Sequence, residues 1–244
     1  MTRPQLDFTP WIKRFPGGRA GSIVLFPHAG GAAAAYRGFA SALAAHGADA
    51  FIVQYPQRAD RLTHPAKDTI EELAAELFDA GDWNSVAPLR LFGHCMGALV
   101  AFEFTRIAEG RGVQVHHLWA SASQAPSAVA ASPRVPTSDR ELLADMVDLG
   151  GTDPRLLADE DFIDLLLPSV RADYRAWNRY ARDADVQVSA DIHVVGGERD
   201  HRVQHEPLQQ WESHTTGRFS LEMFDGGHFY LNDHTETLVA QVTA

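Results

Sequence analysis

Apolar positions follow two rhythms over most of the chain. Short, mainly apolar runs occur at Ser22–Pro27, Ala50–Pro56, Leu89–Phe92 and His117–Ser121, each of strand length. Trp11–Phe15 alternates as an edge strand does and stops at Pro16-Gly17-Gly18. Between the runs lie helical stretches: Tyr36–His46, the amphipathic Thr69–Ala80, and Ala98–Ala108. The last is almost wholly apolar and therefore reads as a buried helix. This alternation predicts an α/β fold with a mainly parallel, doubly wound sheet.

The rhythm breaks between Ser127 and Asp185, where no strand pattern occurs. Ser138-Asp139-Arg140-Glu141 has the spacing of a capping box and opens a helix that stops at Gly150-Gly151. Asp161–Leu167 predicts a second helix, cut at Pro168, and Ser169–Arg182 a third. The sheet pattern resumes at Ala190–Gly197, followed by a helix through Trp211 and a last strand, Phe219–Phe224. The chain thus divides into a core segment 1–126, a helical insertion 127–185 and a second core segment 186–244. The insertion is expected to lie as a lid over the C-terminal edge of the sheet. A plain packing subdomain is the alternative.

Composition narrows the setting. The 244 residues are 45% hydrophobic and 22% charged, ordinary for a globular chain with one large core. A single cysteine excludes an intramolecular disulfide and a Cys-rich zinc site. No apolar signal core or membrane-length run occurs, so the chain is expected to be cytoplasmic, without membrane contact, and monomeric. A formal charge of −11 argues against general nucleic-acid binding.

The chemistry centres on Gly93-His94-Cys95-Met96-Gly97, between a strand and the buried helix. Gly-x-nucleophile-x-Gly is the spacing of a nucleophile elbow, which lifts the central side chain clear of the sheet at a helix N-terminus, where an anion is favoured. A structural cysteine in a glycine-rich turn would show the same string. The remaining residues weigh against that: Cys95, Asp200 and His228 occur in the order nucleophile, acid, base, each just beyond a predicted strand. His28-Ala29-Gly30-Gly31 follows another strand, so the N–H groups of Ala29 and Met96 are candidate oxyanion donors. The apolar excess at 162–167 marks Phe162 and Leu166 as candidate lining of an apolar substrate channel, and His28 and Phe229 are assigned to substrate binding with them. His116, His117, His193, His201 and His205 show no ligand spacing, and no metal is expected.

These residues carry a family resemblance that runs nearly end to end. It rests on Leu25-Phe26-Pro27-His28-Ala29-Gly30-Gly31, Val53-Gln54-Tyr55-Pro56-Gln57-Arg58, Gly93-His94-Cys95-Met96-Gly97-Ala98, Leu167-Pro168-Ser169-Val170-Arg171-Ala172-Asp173-Tyr174 and Gly226-Gly227-His228-Phe229-Tyr230. The chain resembles the type II thioesterases, discrete editing hydrolases of polyketide and nonribosomal peptide assembly lines. The resemblance implies an α/β-hydrolase fold with a helical lid. It also implies hydrolysis of acyl groups from the phosphopantetheine arm of acyl or peptidyl carrier domains. No cofactor of the enzyme's own is expected, since the substrate brings the phosphopantetheine. The family usually has Ser where this chain has Cys95, and proline commonly stands where this chain has His201. With cysteine the intermediate would be an acyl-Cys thioester, and transfer to an amine, alcohol or thiol, or ring closure, is the alternative to hydrolysis. A non-catalytic carrier-binding protein is a further reading. Because both partners would be acidic, Arg171 and Arg175 are the expected docking contacts.

Overall fold

The computed structural model describes Phe8 and residues 10–18, 20–153 and 155–244. The N-terminal heptapeptide searched for a signal core lies outside them. Seven strands, β1 (Ile12–Phe15), β2 (Ser22–Phe26), β3 (Asp49–Val53), β4 (Leu89–His94), β5 (Val115–Ser121), β6 (Asp191–Gly197) and β7 (Phe219–Phe224), form one sheet in the order β1-β3-β2-β4-β5-β6-β7. Only β1 is antiparallel to its neighbour. This is the mainly parallel α/β sheet that the alternating pattern predicts, in the α/β-hydrolase architecture that the resemblance implies.

Both faces of the sheet are covered, which is why its central strands read as continuous apolar runs. Successive residues of β2 and β3 enter opposite cores. Val24, Phe26, Phe51 and Val53 pack with α2 (Ile70–Asp79) and α3 (Met96–Gly110). Ile23, Leu25, Ala50 and Ile52 pack with α1 (Arg37–Ala45) and α7 (Thr235–Thr243). Thr69 caps α2, its Oγ1 accepting the Glu72 N–H at 3.1 Å. Phe26, Phe92, Phe102, Phe104, Trp83 and Trp211 are fully buried, and each contributes about 2–3 kcal/mol in removed apolar surface. The sheet and its flanking helices are therefore the rigid body that holds any site at its edge.

Between β5 and β6 the described residues form helices and no strand. α4 (Asp139–Leu149) begins and ends where the sequence suggests, but the capping box is not formed: Ser138 Oγ donates to the Glu141 carboxylate at 2.5 Å instead of accepting a backbone N–H, and Gly150 ends the helix with φ 75°. The expected break at Pro168 is not found. α5 runs unbroken from Glu160 to Arg179 with Pro168 inside it. Pro168 and Asp164, whose carbonyl loses its helical donor, both sit on the exposed face, so water can take over that bond. Leu167, Ser169 and Val170 on the other face are buried and hold the two halves in line. The core of this segment is small, built on Leu142, Leu167, Val170 and Tyr174.

Past α5 the chain is pinned to α3 by charge. Glu103, 2% exposed on α3, accepts from Tyr180 Oη at 2.7 Å, Arg182 Nε at 2.7 Å and Arg106 Nη1 at 2.7 Å. Removing a buried partner of this kind strands the others, so Glu103→Ala is expected to lower unfolding free energy by about 3 kcal/mol. A urea midpoint unchanged from that of the native chain would show that the network adds nothing. No helix among the described residues is long and apolar enough to cross a membrane. α6 (His205–Gln209) precedes β7.

Candidate active site

Strand order reverses between β2 and β4, and ligands in such sheets bind beyond the strand ends at this switch point. The loop after β2 carries His28 and Ala29; the turn after β4 carries Cys95. Cys95 has φ 54° and ψ −124°, a strained conformation for a residue with a Cβ. Its neighbours enforce it. A Cβ on Gly93 would stand 2.3 Å from Gly97 O, and one on Gly97 would stand 2.0 Å from Phe26 O. The Cys95 N–H donates to Ser121 O at 2.8 Å, and α3 starts at the next residue. The side chain is left half-exposed in a cavity of about 280 Å³ that Ala29 and His228 also line.

His228 and Asp200 meet there. His228 Nδ1 lies 2.8 Å from Asp200 Oδ2, and both side chains are buried. The other carboxylate oxygen accepts the Arg202 and Val203 N–H groups at 2.8 and 3.3 Å. Burial opposes the charge on Asp200, yet the bonds from His228 and these N–H groups hold its carboxyl below the usual range. An acceptor-only carboxylate places the proton on His228 Nδ1 and leaves Nε2 as the basic nitrogen. Nε2 has no other hydrogen-bond partner among the described residues and is left to Cys95. Burial pushes the ring's pKa down, but the Cys95 sulfur and Asp200 outweigh it and raise it to about 9.

Two further imidazoles crowd the same space without a carboxylate. His94 is fully buried, its Nδ1 2.9 Å from Ser121 Oγ, which in turn lies 2.8 Å from Tyr230 Oη. Burial, then the charge of His228 and His28, pushes its pKa well down. His28 Nδ1 lies 2.9 Å from Tyr36 Oη, and burial with nearby His228 and Arg58 lowers its pKa to about 3. Of the three rings, only His228 is equipped to take up a proton near neutral pH.

The other sequence-selected residues fall around this centre. His28, Phe162, Leu166 and Phe229 line a second, larger cavity of about 530 Å³, which shares Ala29, Leu149 and Tyr174 with the first. His28 meets Phe229 edge-on, ring centres 4.9 Å apart. The N–H groups of Ala29 and Met96 find no acceptor among the described residues. Arg171 is paired with Asp139, whereas Arg175 is exposed and has no charged partner among the described residues. His201, at the position where proline is common, reaches Asp148 of α4 at 2.7 Å, and its neighbour Arg202 pairs with Asp145. The loop bearing Asp200 is thereby tied to α4.

One pair escaped the sequence reading. Asp173 of α5, 5% exposed, accepts the Gly30 N–H at 2.7 Å and an ion pair from buried Arg58. Arg58 also donates to Pro56 O at 2.7 Å. Both residues stand in the motif strings, but only the fold shows what they hold: the loop that carries Ala29. A lone carboxylate between Val170 and Tyr174 on the buried stripe of α5 was the available signal. His117 and His193, without a ligand group in the sequence, lie beside Asp191 once β5 and β6 pair.

Residues 22–244 match the thioesterase domain family. The chain belongs to that family. It is 63% identical over 241 residues to the phenyloxazoline synthase MbtB of Mycobacterium tuberculosis, covering 98% of this chain and 17% of that protein. The chain therefore corresponds to a small part of that synthase. It is 38% identical to the thioesterase PikA5 of Streptomyces venezuelae, covering 93% of this chain and 82% of that one. The solved type II thioesterase BorB of the borrelidin cluster superimposes with a TM-score of 0.82 at 34% identity, covering 96% of this chain and 98% of that one.

Proposed function

We propose that the chain is a thioester hydrolase that releases acyl groups from the phosphopantetheine arm of acyl or peptidyl carrier domains through an acyl-Cys95 intermediate. The observation that supports this most is the His228 ring, fixed by Asp200 on one nitrogen and left to Cys95 on the other. Cys95 passes its proton to His228, and its sulfur attacks the thioester carbonyl. The Ala29 and Met96 N–H groups take the oxyanion, each contributing about 3 kcal/mol to that state. His228 returns the proton to the departing pantetheine thiol, then draws one from water for the second step. The larger cavity holds the acyl group, the segment 127–185 acts as a lid over it, and exposed Arg175 is a docking contact for an acidic carrier. Relatives named as thioesterases favour release as free acid over transfer to another acceptor.

Intact-protein mass spectrometry with a panel of acyl-pantetheine thioesters tests this. The native chain is expected to form free acid and a transient adduct on Cys95. Cys95→Ser keeps hydrolysis and loses sensitivity to iodoacetamide. A chain that neither turns over nor is acylated by any member of the panel overturns the reading.

Two further results follow. Leu166→Trp fills part of the 530 Å³ cavity, so long acyl chains should lose about tenfold in kcat/KM relative to acetyl. An unchanged chain-length profile would place the acyl group elsewhere. The second result concerns pH. In the free enzyme Cys95 helps to raise His228 to about 9; acylation removes that help while Asp200 and burial remain. Deacylation needs a neutral Nε2, so with deacylation rate-limiting kcat rises with pH through a midpoint below about 9. A kcat midpoint at or above about 9 would show that Cys95 does not help to hold the proton on His228.

A further inference from the structure

Parallel pairing of β5 and β6 sets three metal-binding donors side by side on one face of the sheet. The register places His117 opposite Asp191 and Trp119 opposite His193, so the side chains at 117, 191 and 193 emerge together. His117 Nδ1 and His193 Nε2 are 3.1 Å apart. Zinc–nitrogen bonds of about 2.0–2.1 Å in a tetrahedral site put neighbouring donors roughly 3.3 Å apart. One donor atom from each of His117, Asp191 and His193 lies within 4.8 Å of the others, so small side-chain rotations close the set.

The surroundings orient these donors. His193 Nδ1 lies 2.8 Å from Ser220 Oγ on β7, and donating its N–H there leaves the Nε2 lone pair toward His117. Trp119 stacks on the same ring at 4.5 Å and 24°, which fixes its plane. Asp191 Oδ1 accepts the Arg218 N–H at 2.8 Å, while Oδ2 accepts Arg218 Nε at 2.8 Å. The Arg218 side chain is 84% exposed, so it can leave Oδ2 for water while the backbone bond keeps the carboxylate in place. Arg90 and His116 are the other cationic groups near His117.

We propose that His117, His193 and Asp191 form a binding site for a divalent transition metal, with Zn²⁺ as the reference ion and water completing its shell. Two imidazoles and one carboxylate are the donor set that Zn²⁺, Co²⁺ and Ni²⁺ take in preference to Mg²⁺ or Ca²⁺. The nearby arginines keep the affinity modest, with Arg218 acting as a latch that a metal must displace. The site lies four residues, about 13 Å, back along β5 from Ser121, whose carbonyl holds the Cys95 N–H. Its role is to clamp β5, β6 and β7 at the sheet's far end, leaving the chemistry at Cys95 alone.

Calorimetric titration of the full chain with Zn²⁺, after capping Cys95 with iodoacetamide, tests the assignment. One saturable ion per chain and a raised melting temperature are expected. His117→Gln and His193→Gln should each weaken binding at least about tenfold. Arg218→Ala should strengthen it, and uncapped His193→Gln should hydrolyse thioesters at the native rate. Long-range proton–nitrogen spectra should show the metal shifting His117 Nδ1 and His193 Nε2. No saturable uptake up to millimolar Zn²⁺, or uptake that survives both histidine substitutions, overturns the proposal.

Discussion

His228→Ala is expected to lower steady-state thioester hydrolysis by about 10⁴–10⁶-fold while the acyl-enzyme accumulates on Cys95. The reason lies in the difference between the two half-reactions. A cysteine thiol is partly ionised near neutral pH and intrinsically nucleophilic, so acylation from a thioester survives in part without the base. Water is a far weaker nucleophile, and its attack on the acyl-enzyme has no substitute for Nε2. Mass spectrometry at early times should therefore show one acyl group per chain in His228→Ala and none in Cys95→Ala. The ring is buried at the cavity edge, where it packs against His94 and Phe229 rather than within the main core, so the substitution should leave the fold intact. A His228→Ala chain that keeps a tenth of the native rate, with native circular dichroism, would remove His228 from the chemistry.

The second large effect concerns residues that need not touch substrate. Asp173 holds the Gly30 N–H and Arg58 at once, and Gly30 follows the proposed oxyanion donor. Asp173→Leu is expected to destabilise the chain by about 3–5 kcal/mol, because Arg58 is left charged and buried. Replacing both partners, as Arg58→Met with Asp173→Leu, should restore most of that stability, since an apolar pair of similar volume carries no stranded charge. The loop would still lack its acceptor. The double variant should thus fold normally yet lose about 10²–10³-fold in kcat, the scale of one oxyanion donor, with little change in KM. Native kcat in the stable double variant would show that the pair serves folding alone.

Much of this was visible in the sequence because the decisive patterns are local. The elbow string, the strand ends before Asp200 and His228, and the alternation of β2 and β3 each depend on residues within a few positions. Pro168 misled because a proline's cost depends on what its missing bond faces, and that is set by tertiary burial. Asp173 with Arg58, Glu103 with Arg182, and His117 with Asp191 and His193 are joined across 74–115 residues, by chain pairing that no short window contains. The sequence marks His201 only as a position where proline is common, and its contact with Asp148 of α4 depends on how the loop after β6 packs against that helix.

The elbow has a consequence for how such a chain can change over generations. Its backbone at Cys95 is dictated by Gly93, Gly97 and the carbonyl of Ser121, none of which senses the side-chain atom at the tip. That tip projects into open cavity, so exchanging oxygen and sulfur there presses on no packed neighbour. Packing is accordingly indifferent to whether serine or cysteine stands at 95, and a single-nucleotide codon change can move between them. What the exchange alters is the interaction with His228, and with it the reactivity of the site.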